Sequence, residues 1–114
     1  MTGHLTLKTD VYSFGVVLLE ILSGLGATQI YSDSVAGDLV KWARPYLSSK
    51  LKVYRVIDKR LGKDFRVEQA SEFAEIILNC LSSTPKNRPT MTQVVKALQR
   101  LDQNINTCMQ SEPN

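Results

Sequence analysis

The chain has 114 residues, a length that suits one domain with a hydrophobic core of its own. Hydrophobic residues make up 43% and charged residues 22%, which are ordinary values for a globular protein. The net charge of +3 is too mild to indicate nucleic-acid binding, so we expect no nucleic-acid partner.

The N-terminal region resembles neither a secretory signal nor a membrane span. The opening M-T-G-H-L-T-L-K lacks the apolar core of a signal peptide. The apolar stretch over residues 11–25 contains four polar side chains and is shorter than the roughly 20 apolar residues that cross a bilayer. We therefore expect no transmembrane segment, and we interpret this stretch as a helix buried in protein.

The first predicted helix contains D-V-Y-S-F-G-V-V-L-L-E-I-L, residues 10–22, and is apolar nearly all the way round. Thr9 or Asp10 can cap its N-terminus, and Gly24 is well placed to end it in a left-handed turn. A helix without a wide polar face must be enclosed on most sides. The carboxylate of Asp10 is accordingly expected to be carried into the interior.

A loop is predicted over Gly26–Gly37, followed by a short helix that Asp38 can cap. We expect Pro45 to interrupt this helix, because proline disfavours the helical conformation of the residue before it. One face of the helix is apolar and has Trp42 alongside; it consists of Leu39, Val40 and Ala43.

The stretch over residues 50–66 is strongly basic. Its seven cationic side chains face only Asp58 and Asp64, so its charge is +5 and that of the remaining chain is −2. A solvated basic loop is the favoured interpretation, and a docking patch for an acidic partner is the alternative. The seven cations are Lys50, Lys52, Arg55, Lys59, Arg60, Lys63 and Arg66.

Two further helices are predicted. The first covers Val67–Leu81, and Pro85 and Pro89 prevent its continuation. Thr90 and Gln93 form a capping box for the second. The chain is polar after Leu101, so we divide it into a domain over residues 1–101 and a disordered tail over 102–114. The apolar side chains expected on the inner faces are Ala70, Phe73, Ala74, Ile77 and Leu81, then Met91, Val94, Val95, Leu98 and Leu101. With no strand candidate, the predicted fold is all-α.

No catalytic or metal-binding pattern is found. His4 has no nucleophile near it, and Glu20 has no second carboxylate at a useful spacing. Cys80 and Cys108 have no Cys or His partner at the spacing of metal ligands. The two cysteines are far apart in the sequence and require no disulfide, which fits a reducing compartment. Cys80 is most simply a core residue. We therefore predict no catalytic, cofactor-binding or metal-binding residue in this chain.

Arg88 lies between Asn87 and Pro89, immediately before the last helix. The neighbouring proline fixes the backbone there and so directs the side chain. A planar guanidinium in such a position usually pairs with a carboxylate, although a surface cap is the simpler alternative.

These motifs together resemble the C-terminal part of a eukaryotic protein kinase domain. K-T-D-V-Y-S-F-G-V-V-L-L-E-I-L-S-G is similar to the central F helix of the kinase large lobe. C-L-S-S-T-P-K-N-R-P-T-M resembles the junction between the last two helices. Between them, L-V-K-W-A-R-P-Y-L and V-I-D-K-R-L are similar to plant receptor-like cytoplasmic serine/threonine kinases. The resemblance covers about residues 3–101.

The resemblance implies a partial kinase large lobe in which the first helix is a scaffold for the catalytic loop. Asp10 matches the aspartate that accepts hydrogen bonds from the catalytic-loop backbone, and Arg88 matches the arginine that pairs with the glutamate of the A-P-E motif. Both roles are structural. The implied partners are the upstream part of the kinase domain and, for the parent kinase, protein substrates or receptor kinases. The parent is expected in the cytoplasm, with peripheral attachment to the plasma membrane as an option.

The residues of phosphoryl transfer do not occur in these 114 residues. The Gly-rich loop, V-A-I-K, H-R-D-x-x-x-x-N and D-F-G are all absent, so Mg-ATP belongs to the parent kinase and the chain alone is expected to be inactive. We also expect the isolated chain to be poorly stable, because Asp10 and Arg88 would lack their partners and one flank of the first helix would be an exposed apolar patch. Three interpretations remain open at this point. The chain is a truncated kinase gene product or gene model, a kinase-derived non-catalytic regulatory or protein-binding module, or an unrelated helical adaptor.

Overall fold

The computed structural model describes residues 7–25, 36–60 and 66–111, with the side chains of 36–38 and 107–111 excepted. Its four α-helices are α1 (Lys8–Ser23), α2 (Ala36–Leu47), α3 (Val67–Cys80) and α4 (Met91–Ser111). Two 3₁₀ turns, Val53–Arg55 and Pro85–Asn87, lie in the connections. Every regular element in these ranges is helical, which confirms the all-α prediction.

Helix α1 begins at Lys8, two residues earlier than the predicted cap Thr9 allows and three earlier than the alternative cap Asp10. Leu7 precedes the first helical residue, and the Asp10 carboxylate accepts a hydrogen bond from the Leu7 amide at 3.3 Å. Asp10 lies inside the first turn of α1 and provides a hydrogen-bond acceptor for the Leu7 amide, which has no partner within the helix. The predicted end is confirmed, because Gly24 has a left-handed φ of 71° and donates its N–H to the Glu20 carbonyl at 2.8 Å.

Within the residues that the structure describes, one side of α1 is covered and the other is not. Val11, Leu19 and Leu22 are fully buried, whereas Val17 and Ile21 are 45% and 58% exposed. The described part of the chain does not provide the enclosure on most sides that the composition of α1 predicts, because the other helices pack against a single flank. The exposed apolar flank expected for a partial kinase lobe is therefore present. We call the uncovered flank the α1 outer stripe; its residues recur at helical spacing and are Asp10, Ser13, Val17 and Ile21.

Helix α3 is the element around which the chain packs, since it contacts α1, α2 and α4. Ala74, Ile77 and Leu81 on its inner face are completely buried, as the apolar periodicity predicts. A Cβ atom on Gly15 of α1 would lie only 2.7 Å from the Cβ of Cys80. The two helices therefore approach as closely as a glycine permits.

Helix α2 differs from its prediction at both ends. It begins at Ala36, so Asp38 lies inside the helix, and Pro45 is a helical residue instead of a break. The final turn persists because Leu47 is buried in the core and anchors it. The predicted apolar face is confirmed by the burial of Leu39, Val40 and Ala43. Most of the preceding loop lies outside the described residues.

The predicted capping box of α4 is confirmed. The Gln93 amide donates to the Thr90 hydroxyl at 3.2 Å, and the Thr90 amide donates to the Gln93 side chain at 2.8 Å. Val94 and Leu101 are buried as predicted, but Val95 is 45% exposed, because it lies at the edge of the apolar stripe.

Helix α4 continues to Ser111 and so extends into the range 102–114, for which disorder stays a prediction. Residues 102–111 contain no glycine or proline, and the half-buried Ile105 extends the stripe one turn beyond Leu101. The division of the chain at residue 101 stays a prediction.

Among the described helices, none combines the length and the hydropathy that crossing a bilayer requires.

Candidate functional site

The two residues that the sequence singles out lie near opposite ends of the chain, and the fold brings their segments to the N-terminal turn of α1. Asp10 is exposed there and accepts only the local Leu7 amide among the described groups. The expectation that Asp10 is buried is wrong for this chain, because Asp10 belongs to the α1 outer stripe. An exposed carboxylate in the first turn also interacts favourably with the helix dipole.

Arg88 is half-buried and is held by backbone carbonyl groups. Its Nε–H donates to the Ser82 carbonyl at 2.7 Å, and one terminal N–H donates to the Lys8 carbonyl at 3.0 Å. The guanidinium carbon lies 4.8 Å from the centroid of the Tyr12 ring, within reach of a cation–π interaction. In the described chain no carboxylate is paired with Arg88, so the predicted partner is replaced by carbonyl oxygens and an aromatic face.

A reciprocal hydrogen bond completes this arrangement. The Lys8 ammonium donates to the Arg88 carbonyl at 2.6 Å, while the Arg88 guanidinium donates to the Lys8 carbonyl. We call the set of Lys8, Tyr12, Ser82 and Arg88 the Lys8–Arg88 clasp. It joins the start of α1 to the turn before α4, across 80 residues of sequence.

The direction of the Arg88 side chain follows from the local sequence. Pro85 opens a 3₁₀ turn, and the Arg88 amide closes it by donating to the Pro85 carbonyl at 3.0 Å. Arg88 itself is extended, with φ −75° and ψ 146°, which is the conformation that a following proline favours. Two prolines thus fix the backbone from which the guanidinium extends.

The clasp can hold chain segments together but has no group arranged for chemistry. A guanidinium carries five N–H donors, and two of them donate to acceptors in the described part of the chain, which leaves three for a planar acceptor such as a carboxylate. Within the part of the chain that the structure describes, no three His, Cys, Asp or Glu side chains are grouped to hold a metal ion. His4 lies outside the described residues, and the half-buried Glu20 makes an interaction of its own.

Sequence reasoning missed the other members of the clasp. Ser82 contributes only a backbone carbonyl, which every residue type possesses, so its identity provides no signal. Lys8 contributes its ammonium as well as its carbonyl, but nothing in the local sequence relates that cation to a carbonyl 80 residues away. Tyr12 was detectable in principle, because an aromatic residue four positions after Lys8 shares its helix face.

Comparison with known proteins places these features in a family. A family model described as "Protein tyrosine and serine/threonine kinase" matches residues 1–98. The chain is 49% identical over 112 residues to serine/threonine-protein kinase BIK1 of Arabidopsis thaliana, a match that covers 98% of this chain and 28% of that protein. It is 49% identical over 106 residues to receptor-like cytoplasmic kinase 176 of Oryza sativa subsp. japonica, covering 93% of this chain and 27% of that kinase.

A third relative extends the same pattern. The chain is 48% identical over 108 residues to the probable serine/threonine-protein kinase PBL9 of Arabidopsis thaliana, covering 95% of this chain and 26% of that protein. The chain thus spans about a quarter of the length of the curated relatives it matches. The resemblance to plant receptor-like cytoplasmic kinases is confirmed, and with it the interpretation of the four helices as part of a kinase large lobe. The chain belongs to the protein tyrosine and serine/threonine kinase family.

Proposed function

We propose that this chain supplies the C-terminal helices of the large lobe in a serine/threonine protein kinase of the plant receptor-like cytoplasmic type. The whole kinase would transfer the γ-phosphate of Mg-ATP to a protein hydroxyl in the cytoplasm or at the inner face of the plasma membrane. The chain by itself is catalytically inactive, because the motifs that bind ATP and provide the catalytic base do not occur in its sequence.

The α1 outer stripe is the observation that carries this proposal. Val17 and Ile21 present large apolar side chains on one flank of a helix whose other flank is buried. Two exposed apolar side chains one helical turn apart, on a helix whose other flank is packed, suit an interface. The upstream part of a kinase domain, with its catalytic loop, is the covering that we propose.

Asp10 and Arg88 have the hydrogen-bonding capacity that this assembly requires. The Asp10 carboxylate lies at the end of the α1 outer stripe and can accept further backbone amides from the catalytic loop. The three remaining N–H groups of Arg88 can bind the carboxylate of the A-P-E glutamate in a bidentate manner. Both residues thus have a structural role in positioning the catalytic machinery.

Reconstitution from two polypeptides tests the proposal. The chain would be co-expressed with the upstream part of the kinase domain of the 49%-identical Arabidopsis relative, and transfer of labelled phosphate from ATP to a protein substrate would be measured. We expect activity only when both polypeptides are present. Phosphate transfer by the chain alone, or failure of the two polypeptides to associate, would contradict the proposal.

Matched variants test the two residues in the same assay. Breaking a buried charge pair costs about 3–5 kcal/mol, so Arg88→Ala is expected to weaken association of the two polypeptides about 100-fold or more. Asp10→Ala should reduce the reconstituted activity. Arg100→Ala and Asp102→Ala, which remove exposed charges on α4, serve as controls and should leave both readouts unchanged.

A kinase-derived non-catalytic regulatory or protein-binding module is the second candidate, because the same outer stripe can receive another protein. Transcript sequence directly upstream of the codon for Met1 discriminates between the two. In-frame A-P-E, D-F-G and H-R-D motifs would support the kinase, whereas an in-frame stop codon would support the module.

A further inference from the structure

A second surface, remote from the clasp, combines a cleft with the basic stretch of the sequence. The cleft has a volume of about 440 Å³ and lies between the Val53–Arg55 turn and the start of α3. This volume is within the range of about 300–1,000 Å³ in which proteins bind ligands. Neither the outer stripe of α1 nor Arg88 lines it.

The floor of the cleft is apolar and recessed. Val53 and Ala70 line it although they are only 2% and 1% exposed, and the half-buried Ile57 lines it as well. A flat surface such as a lipid bilayer makes little contact with side chains as buried as Val53 and Ala70, whereas a single inserted side chain can contact them. The concave shape therefore favours a polypeptide partner that offers a large apolar residue.

The rim of the cleft is cationic. Lys50 and Lys59 are both exposed, and in the described part of the chain no carboxylate is paired with either of them. Asp58 is the acidic residue of the lining, but its carboxylate is bound by the Arg60 guanidinium at 2.7 Å. Hydrogen bonds from Arg60 lower the pKa of Asp58, so this carboxylate stays ionised and engaged. The charge that remains for a partner is positive.

An aromatic side chain is held in place beside these cations. Tyr54 is 64% exposed and lines the cleft. The Arg55 guanidinium carbon lies 5.8 Å from the Tyr54 ring centroid and 5.9 Å from that of Tyr46, so it bridges the two rings. A tyrosine that is already ordered loses little conformational entropy when it is covered, which is why such residues are frequent at interface centres.

We propose that this cleft is a docking site for an acidic segment of a partner protein in which one large apolar side chain is flanked by carboxylates. The apolar side chain enters the cleft above Val53, Ile57 and Ala70 and is covered by the Tyr54 ring. The flanking carboxylates pair with Lys50 and Lys59. Charge complementarity decides between this occupant and a second copy of the chain, which has the same positive surface. The inference is independent of the proposed kinase function.

Fluorescence anisotropy with synthetic peptides tests the docking site on the full chain. The probe is a fluorescein-labelled peptide with one leucine between runs of glutamate. One control peptide has glutamine in place of glutamate, and another has serine in place of leucine. We expect saturable binding of the probe with a Kd of about 1 μM to 1 mM, and affinity at least about tenfold lower for both control peptides.

Charge-reversal variants locate the binding on the molecule. The double variant Lys50→Glu with Lys59→Glu should weaken binding of the probe at least about tenfold. The matched control, Lys86→Glu with Lys96→Glu, makes the same change in net charge at exposed positions outside the cleft and should change the affinity less than about twofold. Circular dichroism should show the same helical content for all variants, since every substituted side chain is exposed.

Three outcomes would overturn the proposal. The first is the absence of saturable binding, and the second is equal weakening by the control pair, which would mean attraction by net charge alone. The third is binding to vesicles of phosphatidylserine and phosphatidylcholine, lost on reversal of Lys50 and Lys59, without binding of the peptide. That result would assign the basic rim to a lipid surface.

Discussion

Arg88 shows how a single side chain adapts when the partner expected for it is absent from the chain. The resemblance predicts a carboxylate, and the chain provides the carbonyl oxygens of Ser82 and Lys8 instead. A hydrogen bond to a charged donor contributes about 1.5–3 kcal/mol, less where water has access, so carbonyl groups offset part of the cost of burying the guanidinium. The remaining N–H groups keep the bidentate face of the side chain available.

Cys80 provides a pH prediction at the same scale. Burial raises the pKa of its thiol from an ordinary value of 9.0 to about 11. The neutral thiol is favoured in the folded chain, so above pH 9 the unfolded chain loses this proton first and binds fewer protons than the native one. The free energy of unfolding is therefore expected to fall as the pH rises from about 9 to about 11.

Urea titrations of a Cys108→Ser chain across this range measure the effect without interference from the second cysteine. The Cys80→Ala chain with the same Cys108→Ser substitution is the control and should lack this part of the decrease. At pH 8, a thiol reagent should modify native Cys80 only as fast as the chain opens. Immediate modification of the native thiol would contradict the burial argument.

At the scale of elements, a close contact joins α1 to α3 at Gly15. A glycine within a helix costs about 0.5–1 kcal/mol relative to alanine, so an open position would gain from Gly→Ala. Here the added Cβ would meet the Cβ of Cys80 at 2.7 Å and the Leu81 side chain at 3.1 Å. The Cβ of Cys80 is bonded directly to the backbone, so it cannot move away without displacing α3.

We therefore expect Gly15→Ala to lower the free energy of unfolding by about 1–3 kcal/mol, in the range of overpacked cores. Urea denaturation measured by circular dichroism gives this quantity. Ser13→Ala, an exposed substitution on the same helix, is the control and should change it by less than about 0.5 kcal/mol. An increase in stability on Gly15→Ala would show that the helices are not in close contact.

At the scale of the whole molecule, the chain has a core that is complete on one side of α1 and open on the other. Leu19, Leu39 and Ile77 are wholly buried in it, whereas Ile21 is 58% exposed. Apolar surface that stays in contact with water contributes nothing to the hydrophobic stabilisation of the fold. The stability of the isolated chain should accordingly be low for its length.

Thermal unfolding tests this expectation. We expect the purified chain to melt with a midpoint below about 60 °C, which is within the range of mesophilic domains. Covering the outer stripe with the upstream kinase segment should raise the midpoint, because a partner that binds only the folded chain stabilises it. A sharp cooperative transition of the chain alone above about 60 °C would contradict the interpretation.

Much of the secondary structure could be predicted because its determinants are local. The left-handed turn at Gly24, the apolar stripe of α3 and the Thr90–Gln93 capping box each depend on residues within a few positions of one another. The errors lie where distant contacts override local preference. Pro45 stays helical because Leu47 is anchored in the core.

The sequence by itself determined the helical class of this protein, about half of its helix boundaries and its kinase family, since periodicity, capping and long ordered motifs are properties of neighbouring residues. Only the tertiary structure decided that α3 is the central helix, that Asp10 is exposed, and that Lys8 and Arg88 form a clasp across 80 residues. These features depend on which surfaces meet in space. No particular residue type marks a carbonyl oxygen that will accept a hydrogen bond or a helix flank that will stay uncovered, so the sequence alone does not predict them.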